Sequence, residues 1–177
     1  MRIGFSLLVL LVFSGSLEAG DVPRLRGASP GESRMIENTL QRSPTARALA
    51  DRIEASDLIV YVQLTIDLPA GRAATRLVAA TDSYRYLRVV IGAMTHPADR
   101  GALLAHELQH ALEIGSAREV RDVSTLRRLY ERIGEDRHAR FAFETAAARD
   151  VAQRVQREMT VPQNGTATAY VRSRDGS

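Results

Sequence analysis

The sequence predicts an α+β fold, a single, mostly helical domain with a small antiparallel three-stranded sheet preceding one long helix. Three observations carry this. Leu58 to Ile66 is a run rich in branched residues, and two further β-patterned stretches follow it, Thr75 to Ala80 and Tyr84 to Ile91. Helical patterning lies on both sides of that block. The chain has 177 residues and no internal repeat, enough for one core and too few for two comfortable ones.

Residues 1–19 read as a secretory signal peptide. Met1-Arg2 supplies the charged start, Phe5 to Phe13 the apolar stretch, and Ser14 to Gly20 the small residues of a cleavage region. The apolar stretch is too short to span a bilayer comfortably, so a secreted or periplasmic protein with no stable membrane anchor is expected. Residues 20–31, with Pro, Gly and Arg, read as a flexible lead-in, and residues 32–160 as the compact domain. Two helices are predicted first, Glu32 to Gln41 and Thr45 to Ala55, the second introduced by Ser43-Pro44 as cap and first helical residue. Turns at Pro69-Ala70-Gly71 and Thr81-Asp82-Ser83 join the three strands into a meander.

The long helix comes next. Thr95 to Asp99 has the signature of a helix start, with Pro97 in the first turn and Asp99 complementing the dipole, and Gly115 supplies a stop. Ala102 to Leu112 contains no breaker, and Leu104, Leu108, Ala111 and Leu112 cover one side. The other side carries His106-Glu107-Leu108-Gln109-His110. Residues four apart share a helical face, so two imidazoles can pinch one ion while Glu107 flanks it as a base for water. Further on, Ser116 to Glu119 has the spacing of a capping box, Thr125 to Ile133 forms another helix with Ser124 as a cap, and Arg140 to Met159 forms the last one. Residues 161–177 read as a loose tail.

The His106 to His110 run resembles the active-site helix of the zincin metallopeptidases. Leu104, Leu108, Gln109, Ala111 and Leu112 fit the uncharged surroundings of that family's motif. The metzincin type would need Gly and His where this chain has Glu113 and Ser116, and an aspzincin Asp is missing where Ala169 follows Gly165 to Thr168. The gluzincin type takes its third ligand from a glutamate on a later helix, and Glu144 is the candidate. Projected at the helical period, Glu144 centres on a stripe of Ala147, Ala148, Val151 and Val155. A carboxylate there must be neutralised, by metal or by an arginine. The resemblance therefore implies zinc held by His106, His110 and Glu144, and hydrolysis of peptide or protein substrates by metal-activated water with Glu107 as general base. The competing expectation is a secreted zinc-binding or interaction domain that keeps the ligands without efficient hydrolysis.

Other polar residues take lesser roles in this reading. Glu113 is a candidate to orient His110, and His96 is a helix-entry residue. Tyr130, Tyr84, Tyr86, His138 and Arg140 are candidates to stabilise a developing oxyanion. Composition removes whole classes of chemistry. With no cysteine, thiol catalysis and thiolate metal sites are excluded, and since every basic residue other than histidine is arginine, Schiff-base chemistry is excluded too. The net charge is only +3, with acids interleaved among the arginines, so no nucleic-acid partner is expected.

Overall fold

The computed structural model describes residues 22–134 and 144–161, and the fold is α+β in a single small domain. The order is β1 (Leu25–Gly27), α1 (Pro30–Arg42), α2 (Pro44–Glu54), β2 (Leu58–Thr65), β3 (Ala73–Ala80), β4 (Arg85–Gly92), α3 (Pro97–Ser116), α4 (Val123–Ile133) and α5 (Ala146–Thr160). The signal-peptide residues, His138, Arg140 and all of the tail after Val161 lie outside the described residues.

The sheet corrects the expected three-stranded meander. Among the described residues it has four strands in the order β1-β2-β4-β3, with β1 parallel to β2, β2 parallel to β4, and only β3 antiparallel to β4. Burial explains the placement. Leu58, Val60 and Val62 of β2 and Leu87, Val89 and Ile91 of β4 are completely buried, so these two strands take the centre. The sequence of β3, Ala-Ala-Thr-Arg-Leu-Val-Ala-Ala, has little bulk to bury and sits at the edge. Residues 25–27, inside the stretch expected to be a flexible lead-in, form β1 instead. Leu25 is buried against Val60, and the Glu54 carboxylate accepts hydrogen bonds from the Arg24 and Leu25 amides.

One face of the sheet carries the core, and the helices pack there. Leu25, Val60, Leu87 and Leu77 form a row across all four strands on that face, while Tyr61, Gln63, Arg88 and Arg76 emerge on the other. α3 meets this core through Leu104, Ala105, Leu108 and Ala111, all fully buried, and packs against α5 where Gly101 leaves room for Met159. The first two helices begin as expected, capped by Ser29 and Ser43 with Pro30 and Pro44 in the first turn.

Two helix boundaries differ from the sequence reading. Ser116 does not open a new helix. It closes α3, its hydroxyl donating to the Leu112 carbonyl at 2.9 Å. The cap of α4 is Asp122 rather than Ser124, in a reciprocal box with Thr125.

The turn between β2 and β3 rests on Gly92. A Cβ there would overlap the Pro69 carbonyl and come within 2.9 Å of the Leu68 carbonyl oxygen, both rigid backbone atoms. Gly92→Ala is therefore expected to cost about 1–3 kcal/mol in denaturant unfolding. An unchanged midpoint would show that the turn moves freely.

Candidate metal centre

α3 is held at both ends. At its start the His96 ring Nδ1 accepts the Ala98 amide at 3.3 Å, which confirms His96 as the entry residue. At its end the fully buried Arg85 of β4 donates to the carbonyls of Ile114, Gly115 and Ala117 at 2.7, 2.9 and 2.8 Å. A helix whose axis and rotation are set this firmly presents its polar stripe in one orientation.

That stripe opens into a cleft of about 510 Å³, lined by His106, Glu107, His110, Tyr130 and Glu144, the start of β3 and the Leu68 to Arg72 turn. The Nε2 atoms of His106 and His110 are 3.1 Å apart, and Glu144 Oε1 lies 3.5 Å from His106 Nε2. All three ligand atoms fall within 4.8 Å of one another. Tetrahedral zinc with N and O ligands at about 2.1 Å would want them roughly 3.4 Å apart. The two separations from His106 match this spacing, and the widest, at up to 4.8 Å, has to close by about 1 Å or more for all three atoms to reach one ion.

The groups around the ligands fix their directions. His110 Nδ1 meets Glu113 Oε2 at 2.8 Å, and this partner turns Nε2 toward His106. Glu113 is thus the orienting residue the sequence suggested. Its second oxygen accepts the Thr145 hydroxyl at 2.7 Å, while the Thr145 amide donates to Glu144 Oε1 at 3.1 Å. Thr145 is also the N-cap of α5, accepting from the Ala148 amide. One buried threonine therefore ties the start of α5, the candidate third ligand and the partner of His110 together.

Glu144 itself corrects the sequence reading. It does not lie on the apolar stripe of a helix running from Arg140. α5 begins at Ala146, and Glu144 immediately precedes the cap, with its side chain 32% exposed. It still reaches His106, because the α5 start packs over α3 at that point.

Burial dominates the electrostatics. It lowers the His106 pKa, with the His110 charge acting the same way against Glu144 and Glu113. For His110, burial also opposes protonation, but the Glu113 hydrogen bond and the charges of Glu107, Glu113 and Glu144 outweigh it and raise the pKa. Burial raises the Glu107 pKa, moderated by His110 and by a hydrogen bond from Thr75. The Thr75 hydroxyl lies 2.8 Å from Glu107 Oε2 and 3.0 Å from the Glu107 carbonyl oxygen, so the edge strand β3 positions this carboxylate.

Of the oxyanion candidates, Tyr130 lines the cleft, its ring edge-on to His110 at 5.6 Å. Tyr84 and Tyr86 do not line it. Thr75 and Thr145 were not foreseen from sequence. For Thr145 a signal existed, since a threonine ahead of Ala-Ala-Ala is a cap pattern; for Thr75 there was none.

Neither family models, curated proteins nor solved structures give a match to this chain.

Proposed function

We infer that this chain is a secreted or periplasmic zinc-dependent metallopeptidase of gluzincin type, hydrolysing peptide bonds. The observation that carries the reading is the convergence of His106, His110 and Glu144 within 4.8 Å in one cleft, with the buried Glu107 carboxylate lining the same space. His106, His110 and Glu144 would hold zinc there, and the ion would supply Lewis acidity toward a water and a carbonyl. Glu107 takes the proton from the attacking water and delivers it to the leaving amine. Glu113 and Thr145 keep His110 and Glu144 aimed.

The sheet edge supports a peptide as substrate. The Gly92 amide donates to the Arg72 carbonyl, so in an antiparallel ladder Arg72, Ala74 and Arg76 turn their backbone groups toward β4. Ala73 and Thr75 turn theirs the other way, along the cleft. An extended chain can pair there as an added strand.

A second reading, zinc binding without efficient hydrolysis, rests on Tyr130. Its hydroxyl lies 3.4 Å from the His110 carbonyl oxygen, where it acts as a structural donor. Metal analysis and casein cleavage separate the readings. One zinc per chain is expected, lost in His106→Ala and weakened about 10- to 100-fold in Glu144→Ala, with cleavage abolished by chelation and restored by zinc. A zinc-loaded chain that cleaves neither casein nor a peptide library would leave only the second reading. Full zinc affinity in Glu144→Ala would remove that residue from the ligand set.

A further inference from the structure

The arginines are not evenly matched by acids once the chain is folded. None of the four strands contains an Asp or Glu, and on the sheet face away from the helices Arg26, Tyr61, Arg88 and Arg76 lie side by side in register across β1, β2, β4 and β3. Arg26 is occupied, its guanidinium 3.1 Å from the Tyr61 hydroxyl and stacked over that ring. Arg76 and Arg88 differ. They are direct cross-strand partners and both exposed, and among the described residues neither has a carboxylate within ion-pair distance. Like charges placed opposite each other on neighbouring strands repel, and an anion between them relieves the repulsion.

The row continues past Arg76 onto the outer edge of β3, which pairs with no further strand among the described residues. A strand added there would set one residue beside Arg76 with its side chain on the same face, roughly 4.8 Å away. Arg72, which lines the cleft at the entry to β3, adds a third positive charge near the same path. We propose that Arg76 and Arg88 form a carboxylate-binding site that selects extended peptides with an Asp or Glu at the position paired with Arg76. This inference rests on the edge-strand mode of binding proposed above, and holds whether or not the bound peptide is cut.

The test measures binding apart from turnover. Fluorescein-labelled decapeptides carrying Glu, Gln or Arg at alternate positions are titrated by anisotropy against the zinc-loaded chain with Glu107→Gln, alone and combined with Arg76→Glu and Arg88→Glu. The acidic peptide is expected to bind most tightly. The charge reversal should weaken it by roughly tenfold or more and favour the Arg peptide instead. Both positions are exposed, and a neutral Arg76→Gln, Arg88→Gln pair should show an intermediate loss with an unchanged circular dichroism spectrum. Equal binding of all three peptides, no binding of any, or a preference untouched by reversal would overturn the proposal. Zinc-dependent cleavage without acidic preference removes this site and leaves the peptidase reading. Acidic-peptide binding by a chain that, with Glu107 intact, cuts nothing does the opposite.

Discussion

Replacing Glu107 with glutamine is expected to lower peptide hydrolysis by roughly a hundred- to ten-thousandfold, the range for losing a positioned general base, while the zinc content stays at one per chain. The two results together make the experiment informative. Glutamine has the same shape, and its amide oxygen still accepts the Thr75 hydroxyl that sits 2.8 Å from the wild-type carboxylate. His106 and His110 remain on the same face of α3, with His110 held by Glu113 and the helix by the packing beneath, so the proposed ligands are undisturbed. Only the proton acceptor is lost. The deficit should fall on kcat, with KM little changed, because Glu107 acts on the water and not on the peptide's anchoring. Glu107→Asp should recover part of the rate, since it restores a base with one methylene less reach. If hydrolysis survives in Glu107→Gln, another group moves the proton and the mechanism proposed here is wrong.

The readable parts of the site were those fixed by local rules. α3 announces itself through Pro97, an unbroken run of helix formers and an apolar back, and the 106–110 spacing then puts two imidazoles on one face whatever surrounds them. The helical-phase reason that singles out Glu144 in the sequence does not hold. The alanine-rich run after it reads as helix throughout, yet Thr145 caps that helix and leaves the glutamate just outside, where chain direction and not helical phase brings it to His106. Strand order was not readable, because the meander reading paired each strand with its neighbour in sequence. The choice was instead made by competition for the core: β2 and β4 each bury one face completely, which puts them together and sends β3 to the edge. That non-local outcome creates both the cleft wall with Thr75 and the Arg76–Arg88 pair. Even charge spacing along the chain hid the acid-free sheet face for the same reason.

The second large effect is expected far from the cleft, at Arg85. Arg85→Met should destabilise the fold by about 3 kcal/mol, near the low end of what breaking a buried ion pair costs, lowering Tm by roughly 10 °C in a domain of this size. All five guanidinium N–H groups are used: Nε and one Nη2 proton donate to Asp57 at 2.9 and 2.7 Å, and the remaining three reach the carbonyls of Ile114, Ala117 and Gly115. Those carbonyls lie at the negative end of the α3 dipole, and although the Ile114 and Ala117 carbonyls also accept the Ala117 and Val120 amides, Arg85 supplies their second hydrogen bond and the one to Gly115. Methionine fills much of the volume and replaces none of these five hydrogen bonds. Lysine has three donors and no planar fork, so Arg85→Lys should recover only a minority of the loss. The low end applies because Asp57, unlike Arg85, is 36% exposed and can turn to water. Its pKa is held below the ordinary 3.8, chiefly by its hydrogen bonds from Arg85 against a burial effect that raises it. A carboxylate with a depressed folded pKa contributes stability that is complete above its unfolded value and disappears as pH falls through the folded one. Urea unfolding followed from neutral pH down through that acidic window should therefore show a loss that is absent in Asp57→Asn. Because Arg85 anchors the end of α3, Arg85→Met should also weaken zinc retention at His110 and His106, one to three turns away. A variant that unfolds with the wild-type midpoint and keeps its zinc would show that the helix is positioned by its apolar face alone.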